Sequence, residues 1–422
     1  MRLAIVGGGW AGLAAAVRAV EAGHAVTLFE MAAQLGGRAR EVVVDGLALD
    51  NGQHILIGAY RRTLALMGTV GADADALLYR RPLELRYADG RGLQMPAGPP
   101  WLGFWLAVAG CRGWTARDRV ALMASAAGWA LAGFRCKPQL TVAQLCRRLP
   151  GAVRELLVDP LCVAALNTPA RDASAAVFLR VLRDALFGGR GSADLLLPRQ
   201  SLGALLPAPA ERWLYSAGAE IRLSTRVQRL QAAAGGWQLD ADCFDGVVLA
   251  CSAAEAARLA HGAAPTWARE ASGLHYEPIV TVYLHCPGAR LPAPMTALVE
   301  DAAAPAQFAF DHGVLGATPG LFAFVISGAR RWVDAGLVAT GAAVLQQAER
   351  AFPTGTWPRP PTLLRVLAEK RATFRCTPGL RRPSAAVAPR LVAAGDYVDG
   401  PYPATLEGAV RAGEAAVALV TA

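Results

Sequence analysis

Three glycines and one acid near the start of the chain have the residue types and spacing to hold a dinucleotide. Gly7-x-Gly9-x-x-Gly12 follows the apolar run Arg2-Leu3-Ala4-Ile5-Val6 and opens an alanine-rich helical run; Glu30 closes the next apolar run, Val26-Thr27-Leu28-Phe29-Glu30. Gly7 permits a sharp turn, the missing side chain at Gly9 lets the backbone approach a pyrophosphate, and Gly12 lets helix and strand pack closely. The free N–H groups and the dipole at the helix start then favour an anion. Glu30 stands eighteen residues beyond Gly12, where a carboxylate can accept hydrogen bonds from both hydroxyls of an adenosine ribose. A lone glycine pattern is weak, but strand, glycines, helix, strand and acid in register read as a dinucleotide site and not as an unliganded turn.

Three further groups of residues can do chemistry. Asp50-Asn51-Gly52-Gln53-His54 is a polar cluster between apolar runs, and Asn, Gln and His together are costly to bury unless each finds a partner. A site and an ordinary turn are both open readings of it. Asn167, in Ala165-Leu166-Asn167-Thr168-Pro169, either contacts a ligand or caps a turn, the commoner role for Asn before Thr-Pro. Gly395-Asp396 ends the apolar run Arg390 to Ala394, and Pro403-Ala404-Thr405-Leu406-Glu407-Gly408-Ala409 opens a helix running toward residue 422. Asp396 can bond a ribityl chain, and the helix start at Leu406 offers a backbone N–H and positive dipole to a flavin pyrimidine, where charge collects on reduction.

The elements that must position these residues are legible as unbroken apolar runs. Such a run, without alternation, is the mark of a parallel strand buried on both faces. Arg2–Val6, Val26–Glu30, Asp245–Cys251 and Arg390–Asp396 qualify. Ile221–Thr225 and Val227–Leu230 read as consecutive strand material with Trp237–Leu239 as a hairpin partner, while Ile279–Leu284 and Leu321–Ile326 read as strands of a second sheet. Val42–Val44 leads through a turn at Asp45–Gly46.

The expected architecture is α/β: a discontinuous Rossmann-type FAD-binding domain over 1–78, 206–262 and 388–422, with an inserted α+β substrate domain over 79–205 and 263–387. Within the latter, Trp101–Val108 and Val120–Phe134 read as two apolar helices flanked by arginines, too short to span a bilayer. They suit a peripheral contact with membrane lipid over 99–134, the mouth of a lipid tunnel, or a buried helical hairpin.

Composition sets outer limits. The chain has 422 residues, room for two domains; it is 54% hydrophobic and 18% charged, which excludes disorder. Its formal charge is +9, yet the arginines fall singly or in pairs, with no basic run and no nucleic-acid signature. Eight cysteines without a CxxC pair, and six histidines without ligand spacing, point to free thiols and no metal. A strand beginning at Leu3 leaves no room for a signal peptide, so a cytoplasmic protein, or one on the cytoplasmic face of the inner membrane, is expected.

Gly36-Gly37-Arg38, soon after the acidic strand, resembles the turn of the flavoprotein superfamily of amine oxidases, protoporphyrinogen oxidases and phytoene desaturases, where the turn and its arginine approach the pyrophosphate; this favours FAD over NAD. By the same resemblance Val227 is the position that touches adenine through its backbone, and Gly52 and Gln53 border the cofactor. Asp50–His54, Ala165–Pro169 and Gly395-Asp396 with Thr405–Ala409 together resemble the squalene-associated FAD-dependent desaturases, over essentially the whole chain.

That resemblance implies a C30 isoprenoid alcohol, hydroxysqualene, as substrate and squalene as product of a reductive dehydroxylation, with an external electron donor for the flavin. That chemistry needs the hydroxyl protonated as it leaves, and His54 is expected to assist its departure as acid or hydrogen-bond donor while Asn167 orients it. Two other readings compete. A desaturase or oxidase of a carotenoid precursor or an amine would run the hydride toward the flavin, and a prenyl-binding carrier on the same fold would bind lipid without turnover.

Overall fold

A computed structural model describes residues 1–44 and 46–422, so the expected turn at Asp45–Gly46 lies partly outside the described residues. The apolar strands assemble into a six-stranded sheet. Its order is Glu220–Arg222, Ala25–Phe29, Arg2–Val6, Gly246–Leu249, Leu391–Ala393 and Ala386–Ala388. The first five run parallel, in register Val6↔Phe29, Val6↔Leu249 and Leu249↔Ala393, and the last is antiparallel. Parallel strands need helical crossovers that cover both faces, which is why the inner runs carry almost no polar residue, while the edge strand Glu220–Arg222 carries two charges.

Two helices close one face. Trp10–Glu21 is buried over most of its length, and its alanines bring it against the helix Leu406–Thr421. The approach is close enough that a Cβ on Gly413 would strike the Ala11 carbonyl. Glu407 fixes the same helix from its first turn: its carboxylate accepts from the backbone N–H of Arg62 (3.1 Å) and of Thr63 (2.9 Å) and from the Thr63 hydroxyl (2.9 Å). It thereby caps the helix Arg61–Thr69.

The second sheet is antiparallel and five-stranded, in the order Met295–Ala297, Phe308–Asp311, Leu321–Ile326, Tyr276–His285 and Thr362–Phe374. With the helices between Pro100 and Phe187 it builds the α+β half of the molecule. The two apolar helices are Pro100–Gly110, started by Pro100 in its first turn, and Ala116–Leu131, started by a reciprocal Thr115–Asp118 capping box. They are not a buried hairpin. Trp101 is 48% and Leu131 91% exposed, and Leu102, Leu106 and Val120 are exposed beside them.

One strand expectation is corrected. Residues 223–229 form no strand: Ser224 takes a left-handed φ of 51° and ends the run after Arg222. The N–H groups of Ser224 and Thr225 instead bond the carbonyls of Ala32 (2.9 Å) and Glu30 (2.8 Å). The next strand is Leu230–Ala233, paired with Gly236–Leu239 as expected. Val227 therefore lies in a loop whose backbone is not consumed by a sheet. All eight cysteines are free, five of them buried.

Candidate active site

A cavity of about 780 Å³ runs from the edge of the parallel sheet into the helical half. Its sheet-side end gathers Gly7, Gly9, Glu30, Gly37, Arg38, Gly52, Gln53, Val227, Gly395, Asp396 and Leu406 on one surface, and His54 and Asn167 also line it. Gly12 stands behind this surface. A Cβ there would run into the Gly7 carbonyl, so its role is to let the helix close on the strand.

The sheet-side end is shaped for a dinucleotide. A Cβ on Gly9 would meet only the Gly37 Cα, at 3.8 Å, so a side chain at Gly9 would fill the cradle itself. The second glycine pair is pinned against the first by the Gly36 N–H bond to the Gly8 carbonyl, 2.9 Å. Glu30 is buried, and its two oxygens accept from the N–H of Gly8 (2.7 Å) and of Ala32 (2.8 Å). Each carboxylate oxygen keeps a further lone pair for a ribose hydroxyl. The Val227 carbonyl accepts from the Arg258 guanidinium at 2.6 Å, and its N–H, with no hydrogen-bond partner among the described residues, is able to meet adenine.

Arg38 and Asp396, 358 positions apart, form an ion pair at 2.5 Å, and Arg38 also donates to the Ala372 carbonyl at 2.8 Å. Burial opposes the charge on Arg38, but Asp396, with Tyr276 and Glu369 adding to it, more than offsets this and holds the guanidinium cationic. At the far side Thr405 and Leu406 line the cavity, and Thr405 caps the helix Leu406–Thr421 by accepting the Gly408 N–H at 2.9 Å, which leaves the N–H groups of Leu406 and Glu407 without an intrahelical partner. Pyrophosphate beside Gly7–Gly9 and a flavin beside Leu406 fit this donor set: cation and dipoles where phosphate and reduced flavin carry charge, a carboxylate where ribose has hydroxyls.

His54 is placed at this end, and its hydrogen bond fixes which ring nitrogen is left for a ligand. Nδ1 lies 2.6 Å from the Gly52 carbonyl. A carbonyl only accepts, so Nδ1 carries the proton, and in the neutral ring Nε2 is left as an acceptor. Burial holds the pKa below the usual 6.5, donation to Gly52 works against this, and Arg38 pushes it down again.

Asn167 is buried, ends the helix Asp159–Leu166 in a left-handed turn, and ties two strands of the second sheet to the turn that follows a third. Its Nδ2 donates to the Glu277 carbonyl and the Thr373 hydroxyl, both at 3.0 Å, and its Oδ1 accepts from the Gly328 N–H at 2.7 Å. A contact to a substrate hydroxyl would have to use the remaining lone pair of Oδ1.

Sequence reasoning missed several residues here. Glu369 lines the cavity and accepts from Asn51 Nδ2 at 3.2 Å, which gives the Asn of the polar cluster its partner. Tyr60 and Tyr402 line it too; the Tyr402 ring is clamped between the guanidinium groups of Arg180 and Arg411, 5.2 and 4.7 Å from its centre. Tyr60 lies six residues beyond His54, a signal within reach, whereas only the register of the strand Thr362–Phe374 brings Glu369 in. Beyond these groups the wall is mostly apolar, and Phe104, Leu122 and Trp129 bring the inner faces of the two exposed helices into it.

The flavin containing amine oxidoreductase family matches residues 10–421. Hydroxysqualene dehydroxylase of Rhodopseudomonas palustris is 29% identical over 99% of this chain and 98% of its own length. The enzyme of the same name from Sinorhizobium fredii is 27% identical over 98% and 97%. A solved oxidoreductase from Methanosarcina mazei superposes with a TM-score of 0.75 at 16% identity, covering 99% of this chain and all of that one.

Proposed function

From the premise that the chain belongs to the flavin containing amine oxidoreductase family, and is an FAD-dependent oxidoreductase, we propose that it reductively dehydroxylates hydroxysqualene to squalene. The observation that carries this reading is the cavity: cofactor-holding groups crowd one end and a long apolar wall continues from them. The full-length similarity to two hydroxysqualene dehydroxylases supports the choice of substrate.

When bound, reduced FAD would supply a hydride for the carbon and one proton for the departing oxygen, so that the hydroxyl leaves as water; the protein has to bind the alcohol, orient its hydroxyl and keep bulk water away. Nε2 of His54 accepts a hydrogen bond from the substrate hydroxyl and so fixes which C–O bond faces the flavin. Asn167 holds the floor of the site by joining helix and sheet. The apolar wall through Phe104, Leu122 and Trp129 takes the isoprenoid chain and shields a carbocation-like carbon from solvent.

The exposed apolar faces of Pro100–Gly110 and Ala116–Leu131 form the lipid-side mouth, lying on a membrane surface. No described helix is long and apolar enough to cross a membrane.

The test is anaerobic mixing of dithionite-reduced protein with hydroxysqualene. Flavin reoxidation with stoichiometric squalene is expected. Persistent reduced flavin, or loss of two hydrogens from squalene offered to the oxidised protein, would replace this reading with desaturation.

A further inference from the structure

Tyr60 is the one residue of the stretch Ile55–Tyr60 that brings a polar side chain to the cavity, and the reading above gives it no task. It is ringed by protein yet keeps accessible surface, and that surface is cavity wall. No hydrogen-bond partner for its hydroxyl exists among the described residues, and the oxygen is not sealed into the core either. Its place is fixed from below: the next two residues in sequence but one, Arg62 and Thr63, bond Glu407 through their backbone, which seats Tyr60 beside the first turn of the helix Leu406–Thr421. Burial, and then the nearby Glu407, push its pKa far above 10, so the phenol keeps its proton.

We propose that the Tyr60 hydroxyl donates a hydrogen bond to the pyrimidine edge of the bound flavin. It acts there beside the free N–H groups and dipole of the Leu406 helix start, and favours the charge that this edge gathers on reduction. Tyr60 is thus a positioning residue that sets how strongly the protein holds its flavin reduced. The assignment rests on FAD occupancy and not on the substrate, so it stands or falls separately from dehydroxylation.

The test uses the FAD-loaded protein and needs no substrate. Tyr60→Phe is expected to lower the two-electron midpoint potential by about 30 mV, a tenfold shift toward oxidised flavin. It should also raise the pH at which the reduced flavin ionises, read from its absorbance. A fluorinated tyrosine incorporated at position 60 preserves the packing and is a stronger donor, so it should shift both readings the opposite way. An unchanged or raised potential in Tyr60→Phe, or no effect of fluorination, overturns the assignment.

Discussion

The Nδ1–H of His54 donates to the Gly52 carbonyl, and this single direction decides what the ring can offer a ligand. Acting as acceptor, His54 must be neutral, so single-turnover oxidation of reduced flavin by the alcohol is expected to be flat above pH 6.5 and to slow as pH falls through the lowered pKa. Replacing it, as in His54→Phe, removes one hydrogen bond, an effect of about 1 kcal/mol or up to roughly tenfold in rate. A rate that rises toward acid pH would restore the acid role and sink this one. The tautomer is not legible in sequence; it depends on a carbonyl two residues back turning toward the ring.

The helices Pro100–Gly110 and Ala116–Leu131 carry apolar residues nearly all round, and only packing decides which face is covered. Phe104, Leu122 and Trp129 face the cavity, while Trp101, Leu106, Val120 and Leu131 face outward. Polarising Trp101, Leu106 and Leu131 to Gln together should abolish co-sedimentation with anionic liposomes and leave flavin binding unchanged; binding equal to wild type would reject the membrane contact. The strands of the parallel sheet were readable because burial on both faces imposes unbroken apolar runs. Glu369 was not, since it sits on a thirteen-residue strand, Thr362–Phe374, with an irregular register and no apolar rhythm to fix its facing. The loop at Val227 was misread as strand for a related reason: β-branched residues suit both, and Ser224 gives no warning of its left-handed turn.

Across the whole molecule two buried groups oppose each other in pH. Burial lowers the pKa of His312, whose Nε2 has no partner among the described residues, to about 4. The unfolded chain therefore binds more protons between pH 4 and 6.5, and about 3 kcal/mol of stability is lost as pH falls through that window. Burial raises Asp50 to about 7, with Leu202 donating against it and Glu41 adding to it. Here the folded state binds more protons, so about 4 kcal/mol is present below pH 4 and lost as pH rises through 7. Between pH 4.5 and 6.5 the slopes nearly cancel. Denaturant unfolding of His312→Gln should then show stability falling as pH rises across this range, and Asp50→Asn should show it rising; two variants with the wild-type slope would refute the pairing.

The ion pair between Arg38 and Asp396 has a consequence in time. A ribosome adding roughly 5 to 20 residues per second needs tens of seconds to travel from one partner to the other. Throughout that interval the parallel sheet lacks the strand Leu391–Ala393, and the helix Leu406–Thr421 has not yet covered its neighbour. A nascent chain can shape the glycine turn early, but it cannot complete its grip on the coenzyme until Asp396 and the helix Leu406–Thr421 have emerged.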